Sequence, residues 1–232
     1  MEKWQGRVAL VTGASSGIGE AICENLVKNG MKVVGAARRI NNMQMMTYTA
    51  LFDKIKETFG GVDVCINNAG FFGTGLNLLS GTPEEWRQMT NVNVIALCLC
   101  SKLTVNSLKE RGLDDGHIIN ISSLAGHKVY PFGESHFYTG TKHAVQALSE
   151  GLRQELQADN SGIKLSVVSP GLVKTEVFNH IHGSSMYDKI YEGNTSLKSE
   201  DIADLVSQIL SAPPYMEVLD IIVAPRGRFS LE

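Results

Sequence analysis

The sequence predicts an α/β fold: a single doubly wound, parallel β-sheet with helices on both faces. Three observations predict it. Six short apolar runs recur along the 232 residues, at Arg7–Thr12, Met31–Ala37, Val62–Asn67, His117–Ile121, Ile163–Ser169 and Val218–Val223. Most are continuous rather than alternating, as strands covered on both faces require. Between them lie segments with helical spacing, and strand–helix alternation of this kind builds a parallel sheet.

The elements follow in order. Arg7–Thr12 leads into a glycine-rich turn and then a helix, with Ile18, Ala21, Ile22 and Leu26 on one face and Gly30 as its C-terminal stop. Met31–Ala37 is the second strand. The stretch Arg38–Gly61 that follows is short, because a helix, a strand and a second helix need roughly 35 residues or more. Leu51–Phe59 supplies one helix, while Asn41–Ala50 has no clean period. Later, Thr82-Pro83-Glu84-Glu85 offers an N-cap, a proline for the first turn and early acids. Ala144, Val145, Leu148, Leu152 and Leu156 form another helical stripe. With no internal repeat, low-complexity tract or linker, residues 1–232 are expected to form one domain.

Composition narrows the function classes. Hydrophobic residues make up 43% and charged residues 19%, values that allow a sizeable core. A net charge of −3 gives no basic surface for nucleic acid or an anionic membrane. No apolar run approaches the roughly 18 residues of a membrane span. Val8–Val11 is too short for a signal peptide. Cys23, Cys65, Cys98 and Cys100 form no C-x-x-C pair and read as free thiols in a reducing, cytoplasmic setting. His127, His136 and His143 lack zinc-ligand spacing, so no metal site is expected.

The turn Gly13-Ala14-Ser15-Ser16-Gly17-Ile18-Gly19 joins the first strand to the first helix. Glycine lets backbone approach a pyrophosphate closely, and the helix start offers N–H groups and positive dipole to phosphates. A dinucleotide site is the expectation. A cofactor with a free ribose 2′-hydroxyl is usually held by an acid at the end of the second strand. Arg38 and Arg39 stand there instead, and their guanidinium groups suit a 2′-phosphate. NADP(H) is favoured, with NAD(H) the other candidate.

Further motifs follow in order: Asn67-Asn68-Ala69-Gly70, Asn93 within Asn91-Val92-Asn93, Ser123 in Ser122-Ser123-Leu124-Ala125-Gly126, Tyr138-x-x-x-Lys142, and Pro170-Gly171-x-Val173-x-Thr175. With the glycine turn, this ordered set resembles the short-chain dehydrogenase/reductase family over about residues 5–225. The wording of Val34–Arg39, Val62–Gly70, Asp114–Ile121, Ser135–Val145 and Glu150–Leu156 is similar to one subgroup, which includes insect farnesol-type dehydrogenases and a vertebrate cytosolic reductase of ketosteroids and dicarbonyls.

The resemblance implies a Rossmann-type oxidoreductase that interconverts an apolar alcohol and its ketone or aldehyde. Tyr138 and Lys142 share a helix face. A free tyrosine has a pKa of about 10, and a neighbouring ammonium group favours its phenolate. Tyr138 would then act as acid/base, Ser123 would steady the substrate oxygen, and Asn93 would anchor a water that links Lys142 to solvent. Lys142 is also implied to bond the nicotinamide ribose. Asn67, Ala69 and Gly70 are implied to line the adenosine and ribose side, and Pro170, Gly171, Val173 and Thr175 the nicotinamide side. Residues 176–194, with His180 and His182, are the expected substrate lid. Tyr130, Pro131, Phe132, Phe178 and Met186 either form an apolar pocket or pack that lid onto the core.

Family members carry a helix and an edge strand after the second strand. Here that region is absent, which leaves the second strand as the sheet edge and removes a wall beside the adenine. Two readings follow: an active NADP(H) enzyme, or a truncated dinucleotide-binding relative that is catalytically weak or inactive and acts as a partner subunit. By analogy, a homodimer or homotetramer forms through the helices around Asn93–Lys109 and Lys142–Leu156.

Overall fold

A computed structural model describes residues 1–37, 47–73, 77–131, 135–175, 191 and 194–227. Six strands, β1 (Val8–Thr12), β2 (Lys32–Ala36), β3 (Val64–Asn67), β4 (His117–Ile121), β5 (Lys164–Pro170) and β6 (Asp220–Val223), form one sheet. Its order is β2-β1-β3-β4-β5-β6 and every pairing is parallel. The helices are α1 (Gly17–Lys28), α2 (Tyr48–Phe59), α3 (Pro83–Thr90), α4 (Ala96–Glu110), α5 (His136–Ala158) and α6 (Ser199–Ser211). This is the predicted doubly wound, Rossmann-like architecture. All six apolar runs became strands.

The continuous apolar character of the strands has a direct cause. Ala9 and Val11 face a core shared with Ile22 and Leu26 of α1 and with Ile202, Val206 and Ile209 of α6. Val8 and Leu10 face a second core with Phe52 and Ile55 of α2 and Cys100 of α4. Successive side chains on a strand point to opposite faces, so a sheet buried on both is mainly apolar, and buried polar exceptions such as Asn67, His117, Asn120 and Ser169 are hydrogen-bonded. Each fully buried Leu or Ile contributes about 1.5–3 kcal/mol.

Among the described residues, no strand lies between β2 and β3 in sequence, and β2 is the sheet edge. Its five residues are exposed or half-buried, in contrast to the five fully buried residues of β1. Beside β2, an open groove of about 420 Å³ is lined by Ala14, Ser15, Cys23, Glu24, Val27, Val33, Gly35 and Ala37.

The helical run Pro83–Glu110 has 28 residues, and an 18-residue window within it has a mean hydropathy of 1.2, long and apolar enough to cross a bilayer by those two measures. In this fold its Leu97, Cys100 and Leu108 are buried, Cys100 against Leu10 and Ile118 of the sheet. A capping box starts it: Thr82 accepts from the Glu85 N–H, and the Glu85 carboxylate accepts from the Thr82 N–H. At Asn91–Ile95 the run widens into a π-turn, which the sequence did not foretell.

At the opposite end of the sheet from the glycine turn, Asp63 is buried between two arginines. It meets Arg7 Nε at 3.0 Å and Arg111 Nη1 at 2.9 Å, and accepts from the Val8 N–H at 2.7 Å. This cluster ties β1, the start of β3 and the end of α4 together.

Candidate active site

The carboxyl ends of β1, β3, β4 and β5 deliver the predicted motifs to one edge of the sheet, where open α/β folds bind their ligands. The glycine turn follows β1. Gly13 and Gly17 have φ of +69° and +61°, conformations that a side chain would strain. A Cβ on Gly19 would lie 2.2 Å from the Gly13 carbonyl oxygen, so only glycine allows this helix start to pack on its own turn. The Gly13 and Ala14 N–H groups donate to the Ala36 carbonyl at the end of β2. Ser16 is the extended residue before α1, Ser15 and Ala14 border the groove beside β2, and Ile18 packs onto the α1 core.

Thr12 and Asn68, which lie in the motifs but are not singled out by the sequence as site residues, hold this turn. Thr12 Oγ1 accepts from the N–H groups of Asn68 and Ala69, at 3.1 and 3.0 Å. Asn68 Nδ2 donates to the carbonyls of Thr12 and Gly13, at 2.9 and 3.3 Å. The end of β3 is thereby stitched to the glycine turn. Asn67 points elsewhere: its amide donates to Asn120 Oδ1 of β4 and Ser101 Oγ of α4, supporting the central strands from within. Ala69 and Gly70 continue towards the cleft, and a Cβ on Gly70 would stand 3.8 Å from Lys142 Nζ.

Ser123, Tyr138 and Lys142 come together as the motif spacing predicted. Lys142 is almost fully buried and its Nζ donates to the Ile121 carbonyl at 3.0 Å. That Nζ lies 5.7 Å from the centre of the Tyr138 ring. Burial pushes the lysine down to about 8. Burial also pushes the Tyr138 phenol up to about 12, against a hydrogen bond with Ser123 that favours the phenolate. Ser122, the neighbour of Ser123, turns away, its hydroxyl donating to the Lys142 carbonyl at 3.4 Å.

Asn93 sits in the π-turn, and its side chain is fully engaged. Oδ1 accepts from the Phe71 N–H at 2.7 Å, while Nδ2 donates to the Phe71 carbonyl and to Thr141 Oγ1, both at 3.0 Å. Thr141 in turn donates to the Tyr138 carbonyl at 2.7 Å. The Asn93 amide therefore braces the segment after β3 against the α5 turn that carries Tyr138.

The segment after β5 closes the other side of the cleft. Gly171 N–H donates to Val223 O at 2.7 Å after Pro170 ends the strand, and Val173 is buried. Thr175 crosses the start of α1: a Cβ on Gly17 would lie 3.1 Å from Thr175 Cγ2. Tyr191, another residue not anticipated, donates to the Val173 carbonyl at 2.8 Å and accepts from the Thr175 N–H at 3.2 Å. Arg38, Arg39, His180, His182, Phe132, Phe178 and Met186 lie outside the described residues, as does the expected lid apart from Tyr191 and Asn194.

The histidines near the cleft have local partners. His127 Nε2 is 2.9 Å from both Ser169 Oγ and Gln146 Nε2, His136 Nε2 is 3.0 Å from the Tyr130 carbonyl, and His143 Nδ1 is 2.9 Å from the Thr139 carbonyl. Among the described residues, no three His, Cys, Asp or Glu side chains gather as metal ligands would.

Comparison with known proteins agrees with this geometry. The family described as short chain dehydrogenase matches residues 7–50 and 41–184. Dehydrogenase/reductase SDR family member 11 of Gallus gallus is 43% identical over 256 aligned positions, covering 99% of this chain and 100% of the relative. Farnesol dehydrogenase of Aedes aegypti is 38% identical over 251 positions, covering 98% and 99%. Both alignments exceed the 232 residues of this chain, so the relatives carry residues that it lacks. The two family matches meet at residues 41–50, just after β2. A solved serine dehydrogenase in complex with NADP+ superposes with a TM-score of 0.80 at 25% identity, covering 93% of this chain and 94% of that one. The matched motifs, the sheet order and these alignments together establish that the chain is an oxidoreductase-type member of the short-chain dehydrogenase/reductase family.

Proposed function

We propose that the protein is an NADP(H)-dependent oxidoreductase that interconverts an apolar alcohol and its ketone or aldehyde, of steroid, isoprenoid or dicarbonyl type. One observation carries the reading: Tyr138 is hydrogen-bonded to Ser123 and has the Lys142 ammonium group over its ring, at the carboxyl edge of the sheet. The glycine turn fits a dinucleotide, since two positive-φ glycines shape the turn from β1 into α1, and a helix start offers N–H groups to phosphates. When bound, the nicotinamide supplies or accepts the hydride.

The chain's own residues handle the proton and the orientation. With its proton held tightly, Tyr138 donates to the carbonyl oxygen during reduction. Ser123 donates a hydrogen bond to the same oxygen as charge builds on it. Lys142 bonds the ribose through Nζ and, as a cation, favours the phenolate needed for the reverse direction. Gly13–Gly19, Ala69, Gly70, Pro170, Gly171, Val173 and Thr175 make the walls of the cofactor cleft, and Asn67 braces the central strands behind them. Arg38 and Arg39 hold the 2′-phosphate and set the preference for NADP(H) over NAD(H). Residues 176–194 act as the lid of a single domain spanning 1–232. Exposed Ile95, Leu99 and Leu148 support homo-oligomerisation through α4 and α5, and four free thiols support a cytoplasmic setting.

A second reading, a weak or inactive partner subunit, is favoured by the residues missing after β2, next to the glycine turn. NADPH fluorescence titration and turnover of a panel of ketones and dicarbonyls separate the two. The enzyme reading expects binding, turnover, and a loss of about 10²–10⁴ in rate for Tyr138→Phe. No binding at millimolar cofactor, or turnover indifferent to Tyr138→Phe, overturns it. Arg38→Ala is expected to weaken NADPH binding while sparing NADH.

A further inference from the structure

Tyr138 is not held by its own helix alone. The ring of Phe72 packs against the Tyr138 ring with centroids 4.7 Å apart and planes inclined by 56°, the tilted arrangement that aromatic pairs favour. Phe72 is presented there by its neighbours. The Phe71 backbone is clamped at both its N–H and its carbonyl by the Asn93 amide. Gly73 leaves room for the Phe71 ring to fold back over the chain, since a Cβ on Gly73 would stand 2.7 Å from that ring. With Phe71 turned to one side, Phe72 turns to the other, towards Tyr138. The same amide reaches Thr141 Oγ1, which donates to the Tyr138 carbonyl. One side chain thus fixes both partners of the ring pair.

We infer that Phe72 is a positioning residue for the reaction: held by the Asn93 clamp, its ring covers one face of Tyr138 and sets the direction in which the phenol meets Ser123 and the substrate oxygen. The inference rests on the assignment of Tyr138 as the acid/base. Phe72 itself exchanges no proton. Its effect is to exclude water and to restrict the phenol to one hydrogen-bonding direction.

The groups around Tyr138 are few. Lys142 is the charged group of its helix that lies at the ring, Ser123 meets the hydroxyl from the end of β4, and Phe72 covers the ring. His136, two residues earlier, is turned to the Tyr130 carbonyl. Burial raises the phenol and the Ser123 bond opposes it, so opening one face to water has a readable consequence. The phenol should release its proton at lower pH.

The test uses the full-length protein with NADP(H), a reactive ketone and the corresponding alcohol. Phe72→Ala, Phe72→Leu and Phe72→Tyr are compared with wild type and with Tyr138→Phe, after thermal melts identify the folded variants. Expected for Phe72→Ala and Phe72→Leu are a 10- to 100-fold fall in kcat with KM for the cofactor unchanged, and a Tyr138-dependent limb of the pH–rate profile displaced by about one pH unit to lower pH. Phe72→Tyr, which keeps the ring, should restore both. The inference is overturned if folded Phe72→Leu keeps the wild-type kcat and pH limb, or if rate falls without any move of the limb. If Phe72→Ala does not fold, Phe72→Leu decides alone. Wild-type turnover that survives Tyr138→Phe would instead refute the proposed function, so the two failures are distinguishable.

Discussion

Replacing Lys142 by methionine should stabilise the cofactor-free protein while abolishing turnover. The lysine is almost fully buried and its Nζ donates to the Ile121 carbonyl. A lysine held at about 8 instead of its usual 10.5 costs the fold on the order of 3 kcal/mol at neutral pH. Methionine fills similar volume without charge, and losing the bond to Ile121 returns about 1 kcal/mol of that gain. The net expectation is about 2 kcal/mol in favour of Lys142→Met, or a rise in Tm of about 4–8 °C for a chain of this size. The pH dependence has a definite sign. Below about 8 the lysine is charged in both folded and unfolded chains, and the penalty is complete. Between about 8 and 10.5 the unfolded chain holds the extra proton, so wild-type stability rises relative to the variant and the two curves converge. Buried Cys65 and Cys100, whose proton release burial delays, weaken both proteins at high pH, but they cancel in the difference. Urea unfolding of both proteins at several pH values, with matched slopes, measures that difference. A variant less stable than wild type at pH 7, or a gap that does not narrow above pH 8, would refute the reasoning.

Other expectations follow from the same geometry. Asp63→Ala should cost about 3–5 kcal/mol, because Arg7 and Arg111 lose the buried carboxylate between them; denaturant midpoints check this. Gly19→Ala should weaken NADPH binding tenfold or more, about 1.4 kcal/mol, since its Cβ would overlap the Gly13 carbonyl; fluorescence titration reads it. Burial holds His117 down at about 3, so the unfolded chain takes up a proton first as pH falls below 6.5. Stability should therefore drop by about 3 kcal/mol by pH 4, and His117→Gln should flatten that slope in acid unfolding curves.

The strands were legible because a sheet covered on both faces favours continuous apolar runs, such as Val8–Val11 and Ile118–Ile119. The glycine turn, Tyr138 and Lys142 were legible because their spacing lies within one turn or one helix face. Ser123 was separable from Ser122 only by resemblance until the hydroxyls were seen to point in different directions. Asn93 was legible as a site residue, but not as the clamp on Phe71, which lies 22 positions away in sequence.

The sequence by itself determined the architecture, the shortness of the stretch after β2 and the placement of Tyr138 and Lys142 on one helix face, because each is written in local periodicity, length or short spacing. Tertiary structure alone decided how the turn is held by Thr12 and Asn68, how Tyr191 pins the segment after β5, and how Phe72 meets Tyr138. These contacts join residues whose separation along the chain carries no pattern. Hydrogen bonds and ring packing between distant segments become visible only when the sheet has brought their ends together.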